Sequence, residues 1–357
     1  MIDFLIIGGG IAGLSAGARL STHGKVMVLE AEDALGYHAS GRSAALFEES
    51  YGPPSVVALN KAGGDFLHTQ NGGYLTPRGL MLVGAQDQSQ QFDADSNELN
   101  MAQISVDEAI ARVPILNPEQ VGFAAVSEAA FDIDTDRLLQ DFARTIRHNR
   151  GTVSTKHKVT AICKDTHWIV TAGQSFEARN LVNAAGAWVD EIARLADLPP
   201  IGITPRRRSM ARLPAPGGHD VSCWPMMLGV GETWYAKPDA GKLLVSPSEA
   251  DPIPPQDAYA DDLVLAEGLA RYEALMTEVV KRVETTWAGL RSFAPDGTLV
   301  LGPDPHDPTF IWSAGQGGYG FQTAPAASQL LCDLVVGTPP ALDAENVAML
   351  TPERLKR

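Results

Sequence analysis

The chain opens on an apolar run, residues 4–7, that three consecutive glycines end; this predicts a buried strand entering a tight turn. Residues 11–22 then carry Ile11, Leu14 and Ala18 at helical spacing, and residues 26–29 form a second apolar run too short for a helix. Strand, turn, helix and strand in this order make the βαβ unit of a doubly wound sheet. Farther on, Leu138, Leu139, Phe142 and Ile146 mark one face of a helix over residues 135–148, with Asp134 or Thr135 as its N-cap. Strand-like stretches follow at 158–163, 168–171 and 181–184. Residues 74–131 and 199–287 mix alternating strands with helices, one of them marked by Leu265, Leu269, Tyr272 and Met276, and the proline-rich residues 251–256 read as loop. The expected fold class is α/β. A discontinuous, Rossmann-like nucleotide-binding domain (1–73, 132–198 and 288–357) receives an inserted α+β mixed-sheet domain (74–131 and 199–287) that would carry the substrate.

Composition fits that architecture and narrows the partners. The 357 residues are 45% hydrophobic and 20% charged, which suits two ordinary globular domains. A net charge of −15 opposes non-specific binding to nucleic acid or anionic lipid. The longest apolar runs fall short of the roughly 18 residues a membrane span needs, and the first lacks the basic flank of a leader. Cys163, Cys223 and Cys332 are widely spaced and show no CxxC pair, so neither a disulfide framework nor a metal site is expected, and a reducing cytoplasm is the expected compartment. Against the acidic background, Arg206, Arg207, Arg208 and Arg212 are bunched, as a pocket for an anion or a solvated face would have them.

Gly8-Gly9-Gly10-Ile11-Ala12-Gly13 satisfies GxGxxG between a strand and a helix, and Glu30 ends the second strand. In that context Gly8 permits the turn, Gly10 lets the backbone approach a pyrophosphate, and Gly13 lets the helix pack closely on the strand. Ile11 and Ala12 begin the helix whose free N–H groups would face the anion. Glu30 would accept from ribose hydroxyls, while Ala31 brings no cation for a 2′-phosphate. FAD and NAD share this fingerprint; Gly17 and its place at the chain start lean toward FAD.

Beyond the fingerprint stand five segments: Gly36-Tyr37-His38-Ala39-Ser40-Gly41-Arg42-Ser43-Ala44-Ala45 with Tyr51-Gly52; Asn183-Ala184-Ala185-Gly186-Ala187-Trp188; Pro205-Arg206-Arg207-Arg208-Ser209; Trp287-Ala288-Gly289-Leu290-Arg291-Ser292-Phe293; and Gln316-Gly317-Gly318-Tyr319-Gly320-Phe321-Gln322-Thr323. In kind and order they resemble the D-amino-acid oxidase superfamily, and within it the bacterial FAD-dependent D-arginine dehydrogenases. The resemblance implies FAD, and cofactor contacts from Arg42, Ser43, Ala44, Ala45, Val159, Ala185, Gly186 and Trp188. It adds Gly317, Gly318, Tyr319, Gly320, Phe321 and Gln322, the last three starting a helix that faces the flavin. His38 is expected to be structural.

The same resemblance implies hydride transfer from the Cα of a D-amino acid to flavin N5, giving an imino acid that water hydrolyses to a 2-oxo acid and ammonia. Arg208 and Arg291 would hold the substrate carboxylate, a task that suits the planar guanidinium fork. Tyr235 would add a hydrogen bond, Tyr51 would sit on a lid, and Gln322 and the Gly318 carbonyl would position the substrate. From alternation alone, Arg206, Arg208 and Arg212 share one strand face and Arg207 the other, with no choice among the three. Leu46 and Leu80 stand where the relatives carry a histidine and a glutamate, which predicts uncharged side chains in the substrate unless Glu48 or Glu49 enters the pocket. An oxidase of glycine or another amine, a 2-hydroxy-acid dehydrogenase and a non-catalytic flavoprotein subunit are the competing readings. The electron acceptor, a quinone or another, stays open.

Overall fold

The computed structural model describes residues 1–355, and the counts and absences below refer to those residues. The first strand, Ile2–Ile7, lies at the centre of an eight-stranded sheet, parallel to Val26–Leu29 on one side and Gln174–Asn183 on the other. Its apolar run is unbroken because both faces are covered. Phe4 and Ile6 pack with Leu14, Phe142, Ile146 and Leu331, whereas Leu5 and Ile7 pack with Trp168, Leu181, Ile192 and Trp312. The first group belongs to the helices Ile11–Leu20, Thr135–His148 and Gly320–Val336. Asp134 caps the second of these, its side chain accepting from the Arg137 N–H. Strands Thr152–Ser154, Ala161–Lys164, Trp168–Ala172, Val300–Pro303 and Phe310–Ala314 complete the sheet.

A second eight-stranded sheet runs in the order Thr285–Phe293, Thr204–Leu213, Lys242–Ser246, Tyr235–Asp239, Met226–Gly229, Leu80–Ala85, Val121–Ser127, Ala102–Ile104. Residues 288–293, grouped by sequence with the nucleotide segments, pair in this sheet: Thr204–Leu213 and Thr285–Phe293 run antiparallel along almost their whole lengths. The proline-rich 251–256 segment forms no regular element; Pro252 makes an isolated bridge to Arg206 of the sheet. A small sheet of Leu46–Phe47, Phe131–Ile133 and Leu75–Pro77 stands apart from both. No helix is long and apolar enough to cross a membrane.

The glycine turn is fixed by contact. A Cβ on Gly13 would stand 2.0 Å from the Gly8 carbonyl oxygen, and one on Gly8, at φ +113°, would stand 2.3 Å from the Ala184 oxygen. Only glycine lets the helix start, the turn and the strand ending at Asn183 approach this closely.

Candidate functional site

Two cavities meet at the second sheet. The longer, about 500 Å³, begins at the glycine turn and is lined there by Gly8, Gly10, Ile11, Ala12, Glu30 and Ala31. Val159, Ala185, Gly186 and Trp188 form one wall, and Arg42, Ser43, Ala44, Ala45 and Leu46 another. It ends at Arg208, Tyr235, Arg291, Gly317, Gly318, Gly320, Phe321 and Gln322. Gly13 is absent from the lining because it is spent on packing, and Tyr319 belongs to the other cavity.

The turn end has the features a pyrophosphate requires. Ser40 Oγ accepts from the Ile11 N–H at 3.0 Å, and no other side chain caps the first turn of the helix. A Cβ on Gly10 would meet only that hydroxyl, at 3.1 Å, so the approach to the helix N-terminus is open. Glu30, 8% exposed, lines the cavity and accepts from the N–H groups of Gly9 (2.6 Å) and Glu32 (2.9 Å), holding the turn to the second strand. Arg42 lines the cavity, but its guanidinium is committed to protein. It pairs with Asp257 at 2.5 Å and donates to the Ala258 and Ala288 carbonyls, each at 2.9 Å. His38 binds Glu32 at 3.0 Å and packs against Trp188, a structural arrangement.

The second cavity, a vestibule of about 640 Å³, shares Arg208, Arg291 and Gly318 with the first. Tyr51, Leu82, Leu99, Leu228, Phe293 and Tyr319 give it an apolar and aromatic wall. Asp95, Glu98, Glu232 and Arg206 also line it, and no motif in the sequence marks these three acids. Glu98 and Glu232 are exposed, and Asp95 accepts from the Gly231 N–H at 2.6 Å.

At the junction, strand register does the positioning. Arg206 lies directly opposite Arg291, and Arg208 is two residues along, so all three side chains leave the same face. Arg207 on the other face is surrounded by Glu249, Asp251 and Asp261 at 3.4 to 3.8 Å. Arg208 and Arg291 make no ion pair and no side-chain hydrogen bond among the described residues, and Arg208 Nε is buried without a partner. Burial, then the nearby Arg291, lower the Arg208 pKa; an arginine stays cationic regardless. The Arg208 guanidinium lies 5.9 Å from the ring centre of Tyr235, and a Cβ on Gly318 would stand 3.1 Å from Arg291 Nη1. Alternation offered Arg212 as well, yet it lines neither cavity.

Tyr51 is held by its backbone: its carbonyl accepts from Asn60 Nδ2 (3.2 Å) and Gln322 Nε2 (3.3 Å). Its ring centre is 5.6 Å from that of Tyr319. Burial raises the pKa of both hydroxyls, that of Tyr319 to about 12, so each remains a neutral donor. Leu46 lines the long cavity, but Leu80 and Glu48, expected as substrate contacts, line neither cavity. Leu80 is buried among Met210, Leu228 and Leu244, and Leu82, on the same strand face, reaches the vestibule instead. Glu49 is exposed. Glu48 is 6% exposed, accepting from the Ser50 N–H (3.2 Å) and Ser127 Oγ (3.3 Å).

The family model described as DAO, FAD dependent oxidoreductase, matches residues 3–334. FAD-dependent oxidoreductase domain-containing protein 1 of Bos taurus is 23% identical over 402 residues, spanning 94% of this chain and 81% of that protein. Glycine oxidase of Pseudomonas putida is 24% identical over 365 residues, with 95% and 96% covered. Among solved structures, the dithionite-reduced L-α-glycerophosphate oxidase of Mycoplasma pneumoniae with FAD bound aligns at a TM-score of 0.83 with 20% identity, covering 94% of each chain.

Burial raises the Glu48 pKa above the ordinary carboxylate range, against the opposing bonds from Ser50 and Ser127. A carboxyl whose folded pKa is raised costs stability above that pKa and nothing below the unfolded value of about 4.3. Glu48→Gln is therefore expected to raise the Tm at pH 8, with the gain shrinking as pH falls toward 4. Thermal melts across that range check it; a pH-independent difference would contradict it.

Proposed function

The chain belongs to the DAO family of FAD-dependent oxidoreductases, and from that premise we propose that it oxidises a D-amino acid at Cα to the imino acid. The observation that carries this reading is the pair Arg208 and Arg291, left without anionic partners where the two cavities join. Two guanidinium groups removed from bulk water without a counter-ion are costly unless a ligand supplies the charge. An α-carboxylate does so, and the fork geometry fixes its plane.

The glycine turn, Glu30 and the 43–45 segment would hold FAD in the long cavity, where it would supply the acceptor for the hydride that leaves Cα. The chain's own side chains prepare that departure. Arg208 and Arg291 anchor the carboxylate, and Tyr235, 4% exposed beside Arg208, donates to it. Tyr51 and Tyr319 close the vestibule side and keep water from the reacting bond. The ammonium must lose a proton before the hydride leaves. Among the described residues, the histidines lining the cavities are His38 and His157. Both belong to the Glu30 end: the His38 ring bonds Glu32, and the His157 ring Nδ1 lies 2.6 Å from the Thr155 carbonyl oxygen. That proton passes to water. Hydrolysis of the released imino acid gives a 2-oxo acid and ammonia.

The D configuration is supported by the likeness of the five segments to D-arginine dehydrogenases. The relatives named above include a glycine oxidase and an L-α-glycerophosphate oxidase, so family membership leaves the substrate to be read from the pocket. A vestibule of about 640 Å³ offers far more room than glycine fills, which favours a substrate with a side chain. Leu82, Leu99 and Leu228 give that side chain an apolar wall, Glu48 is retained by Ser50 and Ser127, and water screens Glu98 and Glu232. A neutral side chain of modest size fits best.

Arg208→Ala and Arg291→Ala should each lower kcat/KM by at least about 100-fold with normal FAD content, since a charge-assisted contact and the alignment of Cα–H are lost together. Full activity in either variant would remove that arginine from the carboxylate site. Anaerobic mixing of the yellow protein with D-amino acids, L-amino acids, N-methyl amino acids and 2-hydroxy acids should bleach the flavin fastest with D-leucine or D-methionine. If D-arginine leads, the neutral-pocket reading is wrong, and Glu232→Gln and Glu48→Gln identify the responsible carboxylate. If only the L-amino acids, N-methyl amino acids or 2-hydroxy acids bleach it, the D-amino-acid reading falls.

A further inference from the structure

We propose that Lys237 is a positioning residue that sets the seat of the flavin by tying the Tyr235 strand to the backbone of Ala44 and Ala45. The inference rests on FAD occupying the long cavity and is independent of which substrate is oxidised.

Lys237 follows Tyr235 by two residues in the strand Tyr235–Asp239, which puts both on one strand face. It is 9% exposed. Its ammonium donates to the Ala44 carbonyl at 2.6 Å and the Ala45 carbonyl at 2.9 Å, and lies 2.9 Å from Asp132 Oδ1. The two carbonyls take its hydrogen bonds, and Asp132 supplies the counter-charge as an ion pair. In an extended strand successive carbonyls point to opposite sides. Here two consecutive carbonyls converge on one nitrogen, so residues 43–45, which form no regular element, are bent around it.

The far side of Lys237 is equally fixed. Asp132 pairs in register with Leu46, the residue after the bent segment, and its second oxygen receives Arg78 Nε at 2.7 Å. Arg78 in turn donates to the Ser222 and Trp224 carbonyls, at 2.7 and 2.9 Å. The chain of contacts therefore runs from the 222–224 loop through Arg78, Asp132 and Lys237 to Ala44 and Ala45, which line the cofactor cavity. Nothing in this network touches Arg208 or Arg291. A buried cation is expensive, and a methionine would fill the space without that cost. What methionine cannot do is satisfy both carbonyls, and their direction decides which surface of the 43–45 segment meets the flavin.

The test compares wild type, Lys237→Met and Lys237→Arg as holoproteins and after removal of FAD. In Lys237→Met, the Kd for FAD, measured by fluorescence quenching on the apoprotein, should rise at least tenfold. The visible circular dichroism of the bound flavin should change, kcat should fall more than KM shifts, and the apoprotein Tm should stay close to wild type. Lys237→Arg keeps the cation but cannot bring one nitrogen to all three acceptors, so it should give an intermediate dichroism and Kd. Wild-type Kd and dichroism in Lys237→Met overturn the proposal. If Lys237→Met does not fold, the same result in Lys237→Arg overturns it. A loss of FAD binding that only follows a collapse of the apoprotein Tm overturns it in favour of a purely structural lysine. Because Kd and dichroism are read without substrate, these outcomes are separate from success or failure of the D-amino-acid reading.

Discussion

The site depends on one strand pairing. By joining Thr204–Leu213 to Thr285–Phe293 in antiparallel register, the chain sets Arg206 opposite Arg291 with Arg208 beside them, an arrangement in which like charges repel. The contrast with Arg207 shows how selectively that charge is left uncompensated. On one face of the strand three acids gather around a single arginine; on the other, the two arginines at the cavity junction have none. A register slip of one residue would exchange the two faces and destroy the site. The fold around it, including the tyrosines and the close approach of Gly318, shapes the space that the proposed function assigns to a carboxylate.

Two halves of the molecule must agree for this to produce chemistry. On the proposed reading, the first sheet and its glycine turn define where the nucleotide enters and the second sheet defines where the carboxylate binds, and the segments 42–51 and 317–322 run between them. Gln322 illustrates the coupling. It is 3% exposed, lines the cofactor cavity, accepts from the Glu48 N–H at 3.4 Å and donates to the Tyr51 carbonyl, so the helix at the cofactor end holds the loop at the vestibule end.

Much of this was legible in the sequence where a local rule operates. The βαβ unit, the helix over residues 135–148 with Asp134 or Thr135 to cap it, and the opposite faces of Arg207 and Arg208 follow from periodicity and turn chemistry alone, and the structure selects Asp134 as the cap. What escaped was set by tertiary partners. Arg42 reads as a cofactor contact until Asp257, more than 200 residues away, is seen to hold it. Leu80 and Leu82 share a strand face, and only the three-dimensional course of the strand decides that Leu82 reaches the vestibule. Ser40 stands 29 residues from Ile11, yet its hydroxyl accepts from the Ile11 N–H. Lys237 carried a usable signal, since alternation from Tyr235 already placed it on the same face, but its acceptors in residues 44, 45 and 132 lie far away in sequence.

The most direct test of the carboxylate site uses a ligand that cannot react. 2-Aminoisobutyrate has the ammonium and carboxylate of an amino acid but no hydrogen on Cα, and tert-butylamine is the corresponding amine without the carboxylate. Titrated into the FAD-bound protein, 2-aminoisobutyrate should perturb the flavin absorbance saturably and compete with the oxidised substrate, whereas tert-butylamine should do neither. Equal perturbation by both, or by neither while substrate is still oxidised, would contradict the assignment of Arg208 and Arg291 as the carboxylate anchor.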